Sequence, residues 1–216
     1  AVKSPTNIVE KAEKVIISGS GISVARALSV NTLRTDLNEV TFSIVENISG
    51  LASITDAIKS AASNVSVTDS IANIFSGTTS TGAPHASLDK ADTVIAVDTL
   101  SNLDSATLVQ KTLITSFNIL ESENLLASDA ATVEKVNQLS ALKSTTYSID
   151  SSSFSDLTSS ASGVSDFVKN AKTIDLSEKL TVAQFNTLDQ DTVTTGTIKA
   201  NIEDTVSALS LSSATK

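Results

Sequence analysis

Two segments of this chain nearly repeat each other. Residues 65–74 read VSVTDSIANI and residues 94–103 read VIAVDTLSNL, and the two align without a gap. Similar residues recur at equal positions in both, among them Asp69 and Asp98, Asn73 and Asn102. Internal similarity at a spacing of about 20–50 residues is typical of stacked arrays, in which each unit buries its apolar face against its neighbours. The repeat therefore predicts an architecture, and such arrays serve mostly as scaffolds, connectors and binding surfaces.

A second pair of similar segments lies nearer the two ends of the chain. Residues 15–28 read VIISGSGISVARAL, residues 173–185 read TIDLSEKLTVAQF, and Val24 aligns with Val182. Each segment predicts a strand, a tight polar turn and a short helix that opens with Ser or Thr followed by Val-Ala.

The turns of these two segments are expected to differ. Gly19 and Gly21 in the first segment could supply the positive φ angles of a tight turn, because glycine adopts them without steric cost. Glu178 and Lys179 stand at the corresponding place in the second segment, so that turn must have another form.

Short runs of β-branched residues recur along the chain and predict strands that start about 20–30 residues apart. The predicted strands are Val15–Ser18, Val40–Val45, Val65–Thr68, Thr93–Val97, Ile114–Ile119, Thr145–Ile149, Thr173–Leu176 and Val193–Thr197. Stretches with helical apolar spacing lie between them, for example residues 125–139, where Ser128 and Asp129 are candidate caps. Strands joined by helices run parallel, because a parallel pair needs a crossover connection.

These patterns predict an α/β fold, specifically a repetitive β/α solenoid with a parallel sheet of short strands on one wall and short helices on the other. A compact α/β domain is the alternative. We expect residues 1–216 to form a single repeat-built domain, which is a fragment or processed part of a longer chain because the sequence has no Met. The segment 76–92, with two glycines, a proline and the one histidine, His85, is predicted to be a surface loop insertion.

The recurring Asp-Ser/Thr-x-x-Asn unit predicts a structural role for its polar residues. Asp69 and Asp98 each end a predicted strand and can accept backbone N–H groups of the next turn, and the following Ser or Thr can cap a helix. Asn73 and Asn102 are expected to bond the backbone of an adjacent unit. Together with Val24 and Val182, these are the predicted structural residues of the repeats.

The composition narrows the classes of partner and site. The net charge of −9 disfavours nucleic acid and anionic membranes as partners, because both need clustered Lys and Arg. No apolar run is long enough to predict membrane insertion. The chain has no Cys and one His, which excludes a disulfide and a His/Cys metal cluster. The sequence identifies no catalytic residue and no cofactor.

Calcium is the one ion for which the sequence suggests candidate ligands. Asp189 and Asp191 alternate like the start of a cation loop, although Val193 and Ala200 stand where an EF-hand needs further ligands. Asp69 and Asp98 from adjacent repeats could also stack into a carboxylate ladder, whose repulsion Ca²⁺ would relieve.

The phrases VTDSIANI, AVDTLSNLDS and LTVAQFNTL resemble the alternating D-T-x-x-N-L and L-T-V-A-Q units of large exported proteins. Such β/α repeat modules occur in secreted or surface proteins of cyanobacteria and other Gram-negative bacteria, and in some cyanophage structural proteins. The resemblance implies a scaffold, surface-layer, adhesin or fibre role, and it brings no catalytic residues. Residues 41–51 and 117–157 depart from the motifs.

The sequence as a whole favours a non-enzymatic structural or assembly protein of an extracellular surface layer, filament or virion appendage. Its expected partners are copies of itself or neighbouring structural proteins, bound near the ends at Lys3–Glu13 and Ser207–Lys216. The alternative is a ligand-binding module of a secreted adhesin, with its ligand on a repeat face or on the 76–92 loop. An enzyme that uses carboxylates alone is disfavoured, because carbohydrate sites usually present aromatic platforms and aromatic residues make up only 3% of the chain.

Overall fold

The computed structural model of the chain describes residues 14–17, 21–33, 39–75, 83–123, 125–150, 153–158, 165–191 and 196–211. It is a mixed α/β fold in which short strands and short helices follow each other. The strands are β1 (Lys14–Ile16), β2 (Glu39–Thr41), β3 (Ser43–Glu46), β4 (Asn64–Asp69), β5 (Thr93–Asp98), β6 (Ser116–Ile119), β7 (Ser144–Thr146), β8 (Ser148–Asp150), β9 (Thr173–Leu180) and β10 (Thr197–Ile202). The helices are α1 (Val24–Leu33), α2 (Ile48–Ala52), α3 (Asp56–Ala61), α4 (Ile71–Ile74), α5 (Leu100–Ser105), α6 (Leu108–Leu113), α7 (Ala130–Leu142), α8 (Phe154–Leu157), α9 (Asp166–Lys169), α10 (Val182–Asp191) and α11 (Val206–Leu211), with a 3₁₀-helix at Ala86–Lys90.

The strands form three sheets, with the orders β1-β2, β3-β4-β5-β6-β7 and β10-β9-β8. The pairs β1–β2, β3–β4, β4–β5, β8–β9 and β9–β10 are parallel, which confirms the predicted α/β class and the predicted parallel pairing. The strands are divided among three sheets, which fits the compact α/β alternative and does not by itself identify a solenoid. A buried aromatic residue, Phe42 or Tyr147, separates β2 from β3 and β7 from β8, and the strands on its two sides pair with different neighbours.

The chain divides into two compact units. Unit 1 comprises residues 1–98 and 105–116, and unit 2 comprises residues 99–104 and 117–216. The core of unit 1 includes Phe42, Ile44, Leu51, Ile58, Ile74 and Phe75, and the core of unit 2 includes Leu103, Phe117, Leu139, Ile149, Phe167 and Leu180. In unit 2 the rings of Tyr147 and Phe167 stack with centroids 5.1 Å apart, and the Tyr147 hydroxyl donates to the Phe167 carbonyl.

Polar caps explain where the short helices begin. A Ser, Thr, Asn or Asp side chain just before the helix accepts a backbone N–H of its first turn, which has no partner inside the helix. These caps are Asn47, Thr55, Ser70, Thr107, Asp129, Ser153 and Ser165. The high Ser and Thr content of the chain therefore serves helix initiation, and Asp129 rather than Ser128 caps α7.

The two segments that resemble each other near the ends of the chain do turn differently. Gly21 has φ +103°, as predicted, and a Cβ there would lie 2.5 Å from the Val45 Cγ2 atom; Gly19 lies outside the described residues. In the second segment Glu178 and Lys179 are part of β9, whose pairing with β10 shifts register near them. Most of the strand predicted at Val193–Thr197 lies outside the described residues, and β10 begins at Thr197.

The predicted loop insertion at residues 76–92 is described from residue 83 onward. There the chain forms the 3₁₀-helix, which His85 caps by accepting the Ser87 N–H at its Nδ1 atom. Lys90 Nζ donates to the Ile54 carbonyl at 2.6 Å, and Asp92 pairs with Lys59. This part of the insertion is therefore fixed to unit 1 by hydrogen bonds.

Candidate functional site

A hydrogen bond between strand–helix segments occurs six times among the described residues. We use "segment" for a strand with the helix that follows it, and "carboxylate clasp" for this bond. In each clasp an Asp or Glu of one segment accepts the backbone N–H of the first residue of the helix in an earlier segment. The donor and acceptor residues are Val24 and Glu46, Ile48 and Asp69, Ile71 and Asp98, Leu100 and Glu123, Phe154 and Glu178, and Val182 and Asp204.

The clasps have one geometry. Their N···O distances lie between 2.7 and 3.1 Å, and their partners are 21 to 27 residues apart in sequence. Each clasp lies within one unit, with three in unit 1 and three in unit 2. In the β3–β4 register Glu46 faces Val67, so Ile48 and Asp69, two residues further along, also stand opposite each other. The strand register therefore places the Asp69 carboxylate next to the first N–H of α2.

The clasp and the cap satisfy different donors of the same helix. In α2, Asn47 Oδ1 accepts the Gly50 N–H at 2.8 Å, while Asp69 Oδ2 accepts the Ile48 N–H at 2.9 Å. A negative side chain at a helix N-terminus also interacts favourably with the helix dipole. Hydrogen bonds to charged groups stabilise proteins by about 1.5–3 kcal/mol each, so the clasps fix the order and spacing of the segments.

Asp69 shows what the repeated Asp-Ser-x-x-Asn unit does. Its Oδ1 atom accepts the Ser70 N–H at 2.8 Å and the Asn73 side-chain amide at 2.6 Å, and its Oδ2 atom forms the clasp. Ser70 Oγ accepts the Asn73 N–H at 3.3 Å. The Asn73 side-chain amide thus makes a bond within its own segment, and the expected bond from Asn73 and Asn102 to the backbone of an adjacent unit stays a prediction.

The second copy of the unit has the same frame. Asp98 is buried, with 7% of its surface exposed, and its Oδ2 atom accepts the Ile71 N–H at 3.1 Å. Thr99 Oγ1 accepts the Asn102 N–H at 3.2 Å, as Ser70 does for Asn73. The sequence alignment of the two segments thus corresponds to a structural equivalence of their strand ends and caps.

Val24 and Val182, which align in sequence, also occupy one structural position. Each is the first residue of its helix and donates its N–H to a carboxylate of the following segment. Val24 donates to Glu46 at 2.9 Å and Val182 donates to Asp204 at 3.0 Å. The two N···O distances are nearly equal, and the two segments therefore make the same contact.

The calcium candidates are placed differently from the sequence expectation. Asp189 and Asp191 were expected at the start of a loop, but both lie in α10, where positions two residues apart do not share a face. Asp69 and Asp98 end the neighbouring strands β4 and β5, and their carboxylates accept backbone N–H groups. Within the described ranges, no group of three or more His, Cys, Asp or Glu residues is arranged to hold a metal ion. Calcium binding stays a prediction from the sequence.

The sequence reasoning missed four of the six clasp acceptors, namely Glu46, Glu123, Glu178 and Asp204. A signal for most of them is present in the sequence as an acidic residue followed by Asn, Ser or Thr and then an apolar residue. This order occurs at residues 46–48, 69–71, 98–100, 123–125 and 204–206, and also at 92–94, 104–106 and 191–193, which supply none of the six clasps. Local sequence therefore only narrows the choice of acceptor, and the donor about 20 residues earlier depends on the strand register.

Comparison of the chain with protein-family models, curated proteins and solved structures found no significant match. No helix in the described ranges combines the length and the apolar character needed to span a bilayer. The clasps and caps described above are therefore the features on which a functional interpretation rests.

Proposed function

We propose that this chain is a non-enzymatic structural protein of an extracellular surface layer, filament or virion appendage, built as a β/α solenoid. The observation that carries the proposal is the set of six carboxylate clasps. Each clasp joins one segment to a following one, as expected of a protein whose repeats contact only their neighbours along one direction. The motif resemblance to exported repeat proteins supports the location.

The use of the acidic residues supports a structural role. In a chain with one His and no Cys, carboxylates are the most numerous groups that could take part in acid–base chemistry near neutral pH. Here the recurring acidic residues are bonded to backbone N–H groups, and Asp69 accepts three donors. A carboxylate occupied in this way stabilises a helix start. The most regular acidic positions of the chain therefore contribute to its architecture.

Open strand edges provide a route from this architecture to assembly. The outer strands of a stacked array present unpaired backbone groups, and these pair with another strand unless something covers them. In the described part of the chain, β1 and β10 each stand at one end of a sheet. A protein of this type is expected to join copies or neighbours through such ends.

Negative-stain electron microscopy of the purified chain over a concentration series tests the proposal. We expect ordered filaments, sheets or rings that increase with concentration. Uniform single particles at every concentration would contradict an assembly function. A saturable ligand bound by such single particles would favour the adhesin alternative.

A further inference from the structure

The last described segment, β10 with α11, exposes side chains that earlier segments bury. The first residue of a helix is 4–6% exposed in α1, α2 and α5 and half-buried in α4, α8 and α10, but Val206 of α11 is 85% exposed. The residue three positions further on is at most 1% exposed at Ala27, Leu51, Ile74, Leu103 and Leu157, but 41% exposed at Leu209. These helix positions differ in whether a following segment covers them.

Among the described strands, β10 has only one hydrogen-bonded neighbour. β10 pairs with β9 and lies at the end of its sheet. Ile202 is 37% exposed, whereas its register partner Leu180 is fully buried. In the part of the chain that the structure describes, the Val206 N–H has no acceptor, although it corresponds to the six clasp donors. We call β10 and α11 the trailing surface.

The first described segment, β1 with α1, also exposes apolar side chains. β1 pairs with β2, and no other described strand pairs with it. Ile16 of β1 and Leu28 of α1 are 64% and 48% exposed. The position that carries the clasp carboxylate in other segments is Ile22 here, because Ile22-Ser23-Val24 has the same order as Asp69-Ser70-Ile71. We call β1 and α1 the leading surface.

We propose that the trailing surface binds the leading surface of a second copy of this chain, with β10 and β1 paired in parallel. The inference rests on the assembly function proposed above and names its contact. The contact continues the pairing that joins consecutive segments within the chain, and both surfaces expose apolar side chains next to an open strand edge. Such a contact uses two different surfaces of one molecule, so each copy can bind two others.

The second copy fits this contact incompletely at one position. Ile22 of the incoming copy would stand opposite Val206, where every clasp within the chain has Asp or Glu. The joint between copies therefore lacks the clasp, and we expect it to be weaker than the joints inside the chain. Assembly is then reversible and depends on concentration.

Sedimentation velocity of the full chain over a concentration series tests the contact through two surface variants. Val206→Lys alters the trailing surface and Ile16→Lys alters the leading surface, and each is expected to weaken self-association at least about tenfold. Because each variant keeps one intact surface, an equimolar mixture is expected to form dimers and no larger species. Val109→Lys on α6, at a residue 72% exposed, is the matched control and is expected to associate like the unaltered chain.

A gain-of-function variant tests the missing clasp. Ile22→Asp supplies a carboxylate opposite Val206, and we expect it to strengthen association about tenfold, the factor that corresponds to ~1.4 kcal/mol of a charged hydrogen bond. Ile22→Ser removes the same apolar side chain without adding a charge and is expected to give no gain. Circular dichroism of each variant checks that the fold is retained.

The outcomes separate this inference from the proposed function. Assembly that Val206→Lys and Ile16→Lys leave unchanged would overturn the contact while leaving an assembly function in place. A chain that stays monomeric throughout the series, with single particles in the microscope, would overturn both. Dimers formed only by the mixture of the two variants would establish the contact.

Discussion

The helix start after β4 and the helix start after β10 have the same local structure. Asp69 accepts the Ser70 N–H at 2.8 Å, and Asp204 accepts the Thr205 N–H at 2.7 Å. The cap oxygens of Ser70 and Thr205 each accept a backbone N–H three residues on, at 3.3 Å. Both acids also clasp the helix of an earlier segment. One local contact differs: the Asn73 side-chain amide donates to Asp69 at 2.6 Å, whereas Ala208 stands four residues after Asp204.

Their surroundings differ completely. The Ile71 N–H is bound by Asp98 of the next segment, and Ile74 is fully buried. Val206 and Leu209, at the same two positions, are exposed. The short motif therefore encodes the helix cap and the clasp to an earlier helix. Burial of the helix, and the clasp that its own first N–H makes, come from the next segment. We therefore expect stability to depend on contacts between adjacent segments.

Truncating equivalent leucines in the two kinds of segment should give the largest contrast. Leu103 and Leu209 both stand three residues after a helix start, but Leu103 is fully buried. We expect Leu103→Ala to lower the free energy of unfolding by about 2–5 kcal/mol, because it leaves a cavity. Leu209→Ala should change it by less than about 0.5 kcal/mol. Urea unfolding of the dilute chain measures both, and equal losses would contradict the assigned burial.

Removing a clasp should have the next largest effect. Asp98→Ala leaves the Ile71 N–H without its acceptor, and we expect a loss of about 1.5–3 kcal/mol in the free energy of unfolding. Glu203→Ala is the control, because the ion pair of Glu203 with Lys179 is exposed and such pairs contribute at most about 1 kcal/mol. A loss in Asp98→Ala no greater than in Glu203→Ala would show that the clasp adds nothing to stability.

Tyr147 extends the comparison to a polar group buried between segments. Burial, and secondarily the charge of Asp166, raises the pKa of its hydroxyl above the usual value. The folded state therefore favours the neutral phenol. This contribution to stability is complete below about pH 10, the value in unfolded chains, and is lost as the pH rises above it. Tyr147 is the single tyrosine and there is no Trp, so tyrosinate absorbance should appear only as the protein unfolds.

A control and a contrary outcome sharpen this titration. Tyr147→Phe removes the hydroxyl that donates to the Phe167 carbonyl and should lose about 1 kcal/mol at neutral pH, together with the absorbance change. Ionisation near pH 10 with native circular dichroism would mean that the hydroxyl is in contact with water.

The exposed contacts between segments should have the smallest effect. The hydrogen bond from Lys59, and then the Val65 N–H, lower the pKa of Asp92 below its ordinary value of 3.8. The stabilisation is therefore present above pH 3.8 and is lost as the pH falls through the lowered pKa. Because the Asp92 side chain is 47% exposed, water screens the pair, and we expect at most about 1 kcal/mol. Asp92→Asn should reduce the loss in the free energy of unfolding that occurs as the pH falls below 3.8. An unchanged loss would show that other carboxylates cause it.

Local patterns in the sequence predicted much of the fold. β-branched runs located β4 and β5, apolar spacing located α7, and the Asp-Ser-x-x-Asn unit identified Asp69 as a residue that bonds the next turn. Contacts set by register were not predictable, since the clasp from Asp69 reaches a helix 21 residues earlier. The sheet break at Tyr147 was missed because an aromatic residue within a β-branched run is itself typical of a strand.

The placement of two calcium candidates shows another limit of local patterns. Asp189 and Asp191 alternate like loop ligands, but the helix that opens at Val182 continues through them. Alternation along a polar stretch does not distinguish a loop from the exposed end of a helix. The candidate acids that the structure does explain, Asp69 and Asp98, are those placed at strand ends next to a cap.

Amide hydrogen exchange at the first residue of each helix tests the central claim most directly. These N–H groups have no partner inside their own helix, so the clasp is what can protect them. We predict slow exchange at Ile48, Ile71 and Leu100, fast exchange at Val206 in the dilute chain, and loss of protection at Ile71 in Asp98→Ala while Ile48 stays protected. Equally fast exchange at all four residues would contradict the account, because the clasps would then not hold neighbouring segments together in solution.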